Sequence, residues 1–335
     1  MNMANLLTLA AAVPSKSVQA TGWFLETAWL IPALPALSFF LILFFGKKMK
    51  YKGAEFGITA IALSLILAIC CVGQWMNQVD NASDNYKKNT PYETEEKYSE
   101  TSSQVLEENA SAEPIEVASA EQMNIYAAGE ESGYEAVAVD AVIERFTWWE
   151  TGGKKFQVGI MVDGLAVMML FVVTVISLLV HIYSTDYVSG DRRYTHYFAF
   201  LSLFSASMLF FVLSENILQT IVGWELVGVC SFALIGHWWE EKPNSDAALK
   251  AFLTNRVGDM GLLVGMIILF WSAGSWSIVD INVAAINNEI GQTTLLIASL
   301  CLTAAVMSKS GQFILHTWLP DAMAGPTPVS ALIHA

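Results

Sequence analysis

Seven separate runs of about twenty apolar residues recur along the chain, and they limit what it can become more than any other feature. A run of that length, wound as an α-helix, crosses the ~30 Å hydrocarbon layer of a bilayer. The runs lie at residues 27–45, 57–75, 159–183, 197–213, 216–238, 247–271 and 292–312, and an eighth begins at Pro328. They are continuous, not alternating, so they predict helices and not the strands of a membrane barrel. Charged residues make up 14% of the chain, against about a quarter in a soluble domain. An ordinary water-soluble enzyme is a poor fit, and the fold class expected is an all-α, polytopic membrane protein.

Basic residues orient such a bundle, because connections rich in Lys and Arg stay inside. The first connection, GKKMKYKG, carries Lys47, Lys48, Lys50 and Lys52 and no acid. Two more connections on the same side carry Arg192 with Arg193, and Lys242 with Lys250. The opposite side receives a short Ser214–Glu215 turn and the 272–291 connection, which has no Lys or Arg. It also receives a long acidic stretch. Residues 75–156 hold 17 acids and 6 bases, most of the formal −14 of the whole chain. An acidic balance opposes nucleic-acid binding.

The sequence therefore divides into a tail with two spans (1–75), an acidic extramembrane loop (76–158) and a bundle of further spans (159–335). Through its middle the loop is too poor in aromatic and branched residues to bury a core. It reads as a solvated excursion, with a docking surface or a cation-attracting mouth as the sharper alternatives. Its end, RFTWWE at 145–150, has the tryptophans of an interfacial belt. The N-terminal apolar run imitates a signal peptide but has no basic residue before Leu6, so it is not read as one. Cys70, Cys71, Cys230 and Cys301 lie in apolar runs without C-x-x-C spacing, which suits small core residues better than disulfides or zinc.

Ionisable residues inside spans are the candidate functional groups, because each costs at least a few kcal/mol at mid-depth unless paired or hydrated. Glu225 lies about 13 Å into its span and Asp259 about 18 Å into its own. Arg256 precedes Asp259 by three residues and shares its helical face, so the two can pair. Lys309 lies toward the inner end of the seventh span. Asp163, at the outer end of the third, suits snorkelling or capping. A structural ion pair is the plain alternative for any one of these residues, but four charges on three spans exceed what packing requires. Moving a carboxylate toward or away from a buried lysine would load or release its proton. Ser308, Ser310 and Gly311 flank Lys309, and Pro320, Pro326 and Pro328 follow. That composition suggests a broken helix, or an ordinary helix end at the inner surface. His316 and His334 flank the proline-rich turn and could extend a proton chain. No Gly-rich nucleotide loop, cysteine array or haem ligand pair is visible.

At these residues the sequence resembles a known family. Residues 162–200, GWELVGVCSFALIGHWW (223–239), KAFLTNRVGDMG (250–261) and KSGQFILHTWLPDAMAGPTPVSALIHA (309–335) are similar to the N-terminal half of the L subunit, or chain 5, of proton-pumping NADH:quinone oxidoreductase, respiratory complex I. The likeness is close from residue 156 onward and loose over the first two spans. It implies an antiporter-like helix bundle with a broken seventh helix, the first of two inverted repeats. It also implies a subunit that binds no cofactor of its own. NADH, flavin, iron–sulfur clusters and quinone would belong to other parts of the complex. Partners would be other membrane subunits, above all an M-type antiporter-like neighbour, and the lipid of the cell's inner (plasma) membrane.

By the same resemblance Glu225 matches the mid-membrane glutamate, Lys309 the lysine it pairs with, Asp259 the acid that modulates them, and His334 a histidine passing protons onward. Two departures are visible. The acidic loop is longer than the family's, and the sequence stops about halfway along a family member, which reads as a partial sequence. The large subunit of a multi-subunit cation/proton antiporter and a structural scaffold are the competing readings. Carboxylates and hydrated cavities would serve H⁺ and Na⁺ alike.

Overall fold

The computed structural model describes residues 17–89, 138–152 and 154–334. The N-terminal run and most of the acidic stretch therefore lie outside the described residues. Seven described helices are long and apolar enough to cross a membrane, one for each expected run. We label them α1 (Leu30–Phe45), α2 (Ala54–Asn89), α3 (Gly164–Tyr187), α4 (Tyr194–Val212), α5 (Ile217–Ile235), α6 (Lys242–Ala273) and, after a short amphipathic α7 (Ile278–Ile286), α8 (Gln292–Lys309). The expected eighth run begins as α9, Thr327–His334.

By contact the chain forms two compact units. The larger is built from Thr21–Trp75 and Ala141–Ala335. The smaller includes residues 17–20, 76–89 and 138–140. In it β1 (Ser17–Gln19) pairs in parallel with β2 (Ala138–Asp140). The helix α2 runs past the expected end at residue 75 because 76–89 contains neither Gly nor Pro, and nothing in it stops a helix.

Besides β1 and β2, a further region departs from a purely helical reading. Residues read as loop and as the start of the third span form an antiparallel hairpin, β3 (Val142–Thr151) with β4 (Lys154–Val162). The third helix starts only at Gly164, where the Asp163 carboxylate accepts the Ala166 N–H at 2.7 Å. Capping, one of the two roles expected of Asp163, is the one it performs. The tryptophans of the hairpin stand outward, Trp148 72% and Trp149 53% exposed. Trp149 stacks on Phe156 across the pair at 4.5 Å.

Between helices in lipid, association rests on close packing and hydrogen bonds, since the lipid tails are as apolar as the side chains. The most enclosed helix is α4, where Tyr197, Phe198, Leu201 and Leu209 are fully buried. It packs on α1, α3 and α5. A polar seam joins it to α3. Ser184 bonds the Tyr197 hydroxyl at 2.9 Å, His181 contacts Ser202 at 3.3 Å, and Ser205 donates to Ser177 at 3.1 Å. Thr174, Ser177, His181 and Ser184 recur at helical spacing and are all buried.

The ends of the larger unit sort by charge as the connections predict. Arg193, after α3, donates to the His237 carbonyl and pairs with Glu240, both after α5. Lys52, between α1 and α2, stands over the Tyr194 ring at the start of α4. All three basic connections thus meet at one end. At the other end the hairpin docks on the α4–α5 turn. There Arg145 pairs with Glu215 at 2.7 Å and donates to the Ser277 hydroxyl at 2.9 Å. Asn216 donates to the Gln157 carbonyl.

Candidate intramembrane proton site

Three helices carry the candidate charges, and small residues set how closely two of them approach. The helices α6 and α8 pack closely against each other through Gly258, Gly261 and Gly265. A Cβ on Gly258 would lie 2.0 Å from the Ser308 hydroxyl oxygen, and one on Gly261 would lie 2.5 Å from the Cys301 carbonyl oxygen. Only glycine permits that approach, and it brings the NRVGD segment against the end of α8.

The charges meet where α5 and α6 face each other. Arg256 pairs with Glu225 on α5 and lies 3.5 Å from Asp259 on its own helix. One guanidinium therefore serves two carboxylates. Glu225 and Arg256 are 28% and 29% exposed, whereas Asp259 is 3% exposed. Asp259 also accepts the Trp224 indole N–H at 2.6 Å. The Lys309 ammonium stands 5.4 Å from the centre of the Trp224 ring, a cation–π arrangement. Trp224 thus connects the acid of α6 to the lysine of α8.

Lys309 is the last residue of α8 and is half-buried. The helix stops because Gly311 takes a left-handed φ of 61°. Closing bonds run from the Gly311 N–H to the Ser308 carbonyl and from the Gln312 N–H to the Met307 carbonyl. The freed Ser308 carbonyl also accepts the Trp318 indole N–H at 2.9 Å. A helix C-terminus carries partial negative charge and favours a cation there.

The break also sets the depth of the lysine. A Cβ on Gly228 would meet Lys309 Nζ at 3.0 Å and Arg256 Nη2 at 3.3 Å. Lys309 therefore lies level with the middle of α5, deeper than a helix end at the inner surface would place it. The chain continues through a single turn at Trp318–Asp321 to α9, whose His334 lines the same cavity of about 650 Å³ as Lys309. Ser231, Asn255 and Ser310 supply its other polar groups.

Of the six expected site residues, Glu225, Arg256, Asp259 and Lys309 come together, and His334 shares the cavity although its side chain is exposed. His316 does not join them. It is exposed and stacks on Phe313. The expected Glu225–Lys309 pair is replaced by Glu225–Arg256, because Arg256 sits one helix face away on α6 while Lys309 is turned onto Trp224. Among the described residues Lys309 has no ion pair.

Trp224, Gly228, Gly258 and Trp318 were not singled out from the sequence. Trp224 did carry a signal, since tryptophan favours the membrane surface and here falls mid-span. All four cysteines are free and at least half-buried, as their apolar surroundings suggest.

Broken helix and shared charges define an antiporter-like, polytopic membrane protein. Residues 214–335 match the model of the NADH:quinone oxidoreductase/Mrp antiporter transmembrane family, and residues 148–198 match that of the complex I chain 5 N-terminus. The chain therefore carries an antiporter-like transmembrane domain of this family, preceded by a segment of the chain 5 N-terminal type.

The chloroplast NAD(P)H-quinone oxidoreductase subunit 5 of Physcomitrium patens is 46% identical over 202 residues, covering 58% of this chain and 28% of that protein. Chain 5 of the Picosynechococcus NAD(P)H-quinone oxidoreductase is 44% identical over 195 residues, 56% of this chain and 29% of that one. The chain thus spans less than a third of the length of these relatives. In fold it is similar to a chain of the Mrp complex from Dietzia, with TM-score 0.61, 22% identity, and coverage of 92% of this chain and 26% of that one. It is also similar to a chain of an archaeal membrane-bound sulfane sulfur reductase, with TM-score 0.63, 16% identity, and coverage of 91% and 49%.

Proposed function

We propose that the chain is the antiporter-like N-terminal part of a proton-translocating membrane subunit of an NADH:quinone oxidoreductase. In this reading residues 159–335 carry the translocation. The basic end faces the cell interior across the plasma membrane, and the acidic stretch faces out. Electron transfer from NADH to quinone takes place on cofactors held by other subunits, and an M-type antiporter-like subunit is the neighbour. One observation carries the reading. Lys309 ends a broken helix at mid-depth, inside a cavity that reaches His334, beside a guanidinium already divided between two carboxylates.

The chemistry follows from that competition. While Arg256 holds Glu225, Lys309 faces the Trp224 ring and, behind it, Asp259, with the Arg256 guanidinium close by across Gly228. Release of Glu225 toward Lys309 would favour the ammonium form, and its return to Arg256 would favour loss of the proton. A proton taken up from the basic end would then leave Lys309 laterally, toward His334. His316 lies apart from this route and takes no part in it.

The test is proton pumping by the assembled complex. Lys309→Ala, Lys309→Arg and Glu225→Ala should each abolish or severely reduce pumping while the subunit still assembles. The arginine variant keeps the charge but cannot shed it, so normal pumping by Lys309→Arg would show that Lys309 carries no proton. Unchanged pumping in all three would leave only a scaffolding role. The cation/proton antiporter reading draws on the fold shared with the Mrp complex chain. Genes for antiporter subunits beside this one, in place of oxidoreductase subunits, would favour it.

A further inference from the structure

At the basic end, three connections close around a pocket of about 500 Å³ lined by Lys47, Lys52, Arg192, Arg193, His196 and His237. One part of its wall is apolar, with Leu43 44% and Trp239 61% exposed beside Ala233. The acids nearby are already engaged. Glu55 accepts the backbone N–H groups of Tyr51 and Gly53. Asp191 accepts from the Arg193 backbone, the Trp238 indole and the His237 ring. Glu240 is paired with Arg193, whose guanidinium also lies over the Trp239 ring.

Lys47, Lys52 and Arg192 are left exposed, and among the described residues they make no ion pair. The Lys52 backbone has a φ of 51° and is followed by Gly53 at 98°, a turn fixed by the two bonds to Glu55. Three cations without a direct ion pair, of which Arg192 also feels the Glu240 carboxylate, thus converge from two different connections onto one concave, partly apolar site at helix-end depth. A positive-inside bias accounts for bases on this side. It does not account for a pocket that gathers them.

We propose that this pocket binds the headgroup of one anionic phospholipid of the inner leaflet. The phosphate is held by Lys47, Lys52 and Arg192, and an acyl chain lies along Leu43 and Trp239. The proposal rests on the orientation proposed above, with the basic end inside. Bases gathered at this depth suit a phosphate that carries its own apolar tail better than a free anion. The lipid would tie the α1–α2 connection to the ends of α3 and α5.

The test is native mass spectrometry of the delipidated full-length protein, titrated with phosphatidylglycerol or with phosphatidylcholine of the same acyl chains. One phosphatidylglycerol should bind far more tightly than phosphatidylcholine. Each of Lys47→Gln, Lys52→Gln and Arg192→Gln should weaken it about fivefold, and the triple variant about a hundredfold. Lys250→Gln, which alters a base paired with Asp321 outside the pocket, should change nothing. Equal binding of the two lipids would overturn the proposal. So would phosphatidylglycerol binding that the triple variant leaves intact, or its displacement by millimolar inorganic phosphate. Lipid binding is read without pumping, so failure here is distinct from failure of the translocation reading.

Discussion

Two arginine–carboxylate systems in this molecule use the same chemistry to opposite ends. At the hairpin, Arg145 has one carboxylate, Glu215, which is 1% exposed and is also approached by Asn216. Arg145 meets the Ser277 hydroxyl as well. In mid-bundle, Arg256 has two carboxylates, and a lysine stands nearby with none. The first arrangement has one low-energy pairing and holds the hairpin to the bundle. The second offers one guanidinium two carboxylates, and in the proposed function a displacement of Glu225 toward Lys309 would exchange the pairing. The ratio of partners decides between clamp and switch, more than the strength of any single pair.

Substitutions can break that comparison. Glu215→Ala strands the guanidinium of Arg145 at the hairpin and should cost about 3 kcal/mol or more, read as a fall in the thermal midpoint of the purified protein. Gly258→Ala pushes a methyl group into Ser308 and the Ala304 carbonyl. Overpacking of this kind should cost about 1–3 kcal/mol, and by parting α6 from α8 it should also reduce pumping. Glu225→Ala leaves Arg256 with Asp259 and should cost only about 1 kcal/mol, while on the proposed function pumping should be lost. If Glu225→Ala and Glu215→Ala destabilise equally, the distinction between switch and clamp fails.

The smallest effect concerns the surface of the basic end. Burial lowers the pKa of His237 below 6.5, and the facing Asp191 only partly offsets it. Arg193, also close, lowers it further, and Glu240 opposes. The unfolded chain then binds the proton more readily. The contribution of His237 is therefore complete above about pH 6.5 and is lost as the pH falls through its lower folded value. His237→Asn should flatten the thermal midpoint over that range. An unaltered slope would show that His237 does not titrate on unfolding.

Much of this was legible along the chain. The spans, the sorting of basic and acidic connections, the Asp163 cap and the break after Lys309 are local features, set by residues within a few positions of each other. The hairpin was not legible, because from Glu144 onward nearly every side chain of β3 is exposed on both faces, and alternation appears only when one face is buried. Pairing within the charge cluster was half legible. Arg256 with Asp259 follows from a spacing of three, but Glu225 with Arg256 required knowing which faces of α5 and α6 meet.

Hydrophobic length, charge placement and helix punctuation sufficed to specify seven membrane helices, their two unlike ends and the four charges worth watching. Those properties act over a single turn or a single span, so one sequence states them outright. Which carboxylate Arg256 takes, how deep Lys309 comes to rest and where three bases leave a hollow were decided by packing. Each depends on the close approach of helices far apart in sequence, through glycines whose missing side chains reveal nothing until the partner helix is in place.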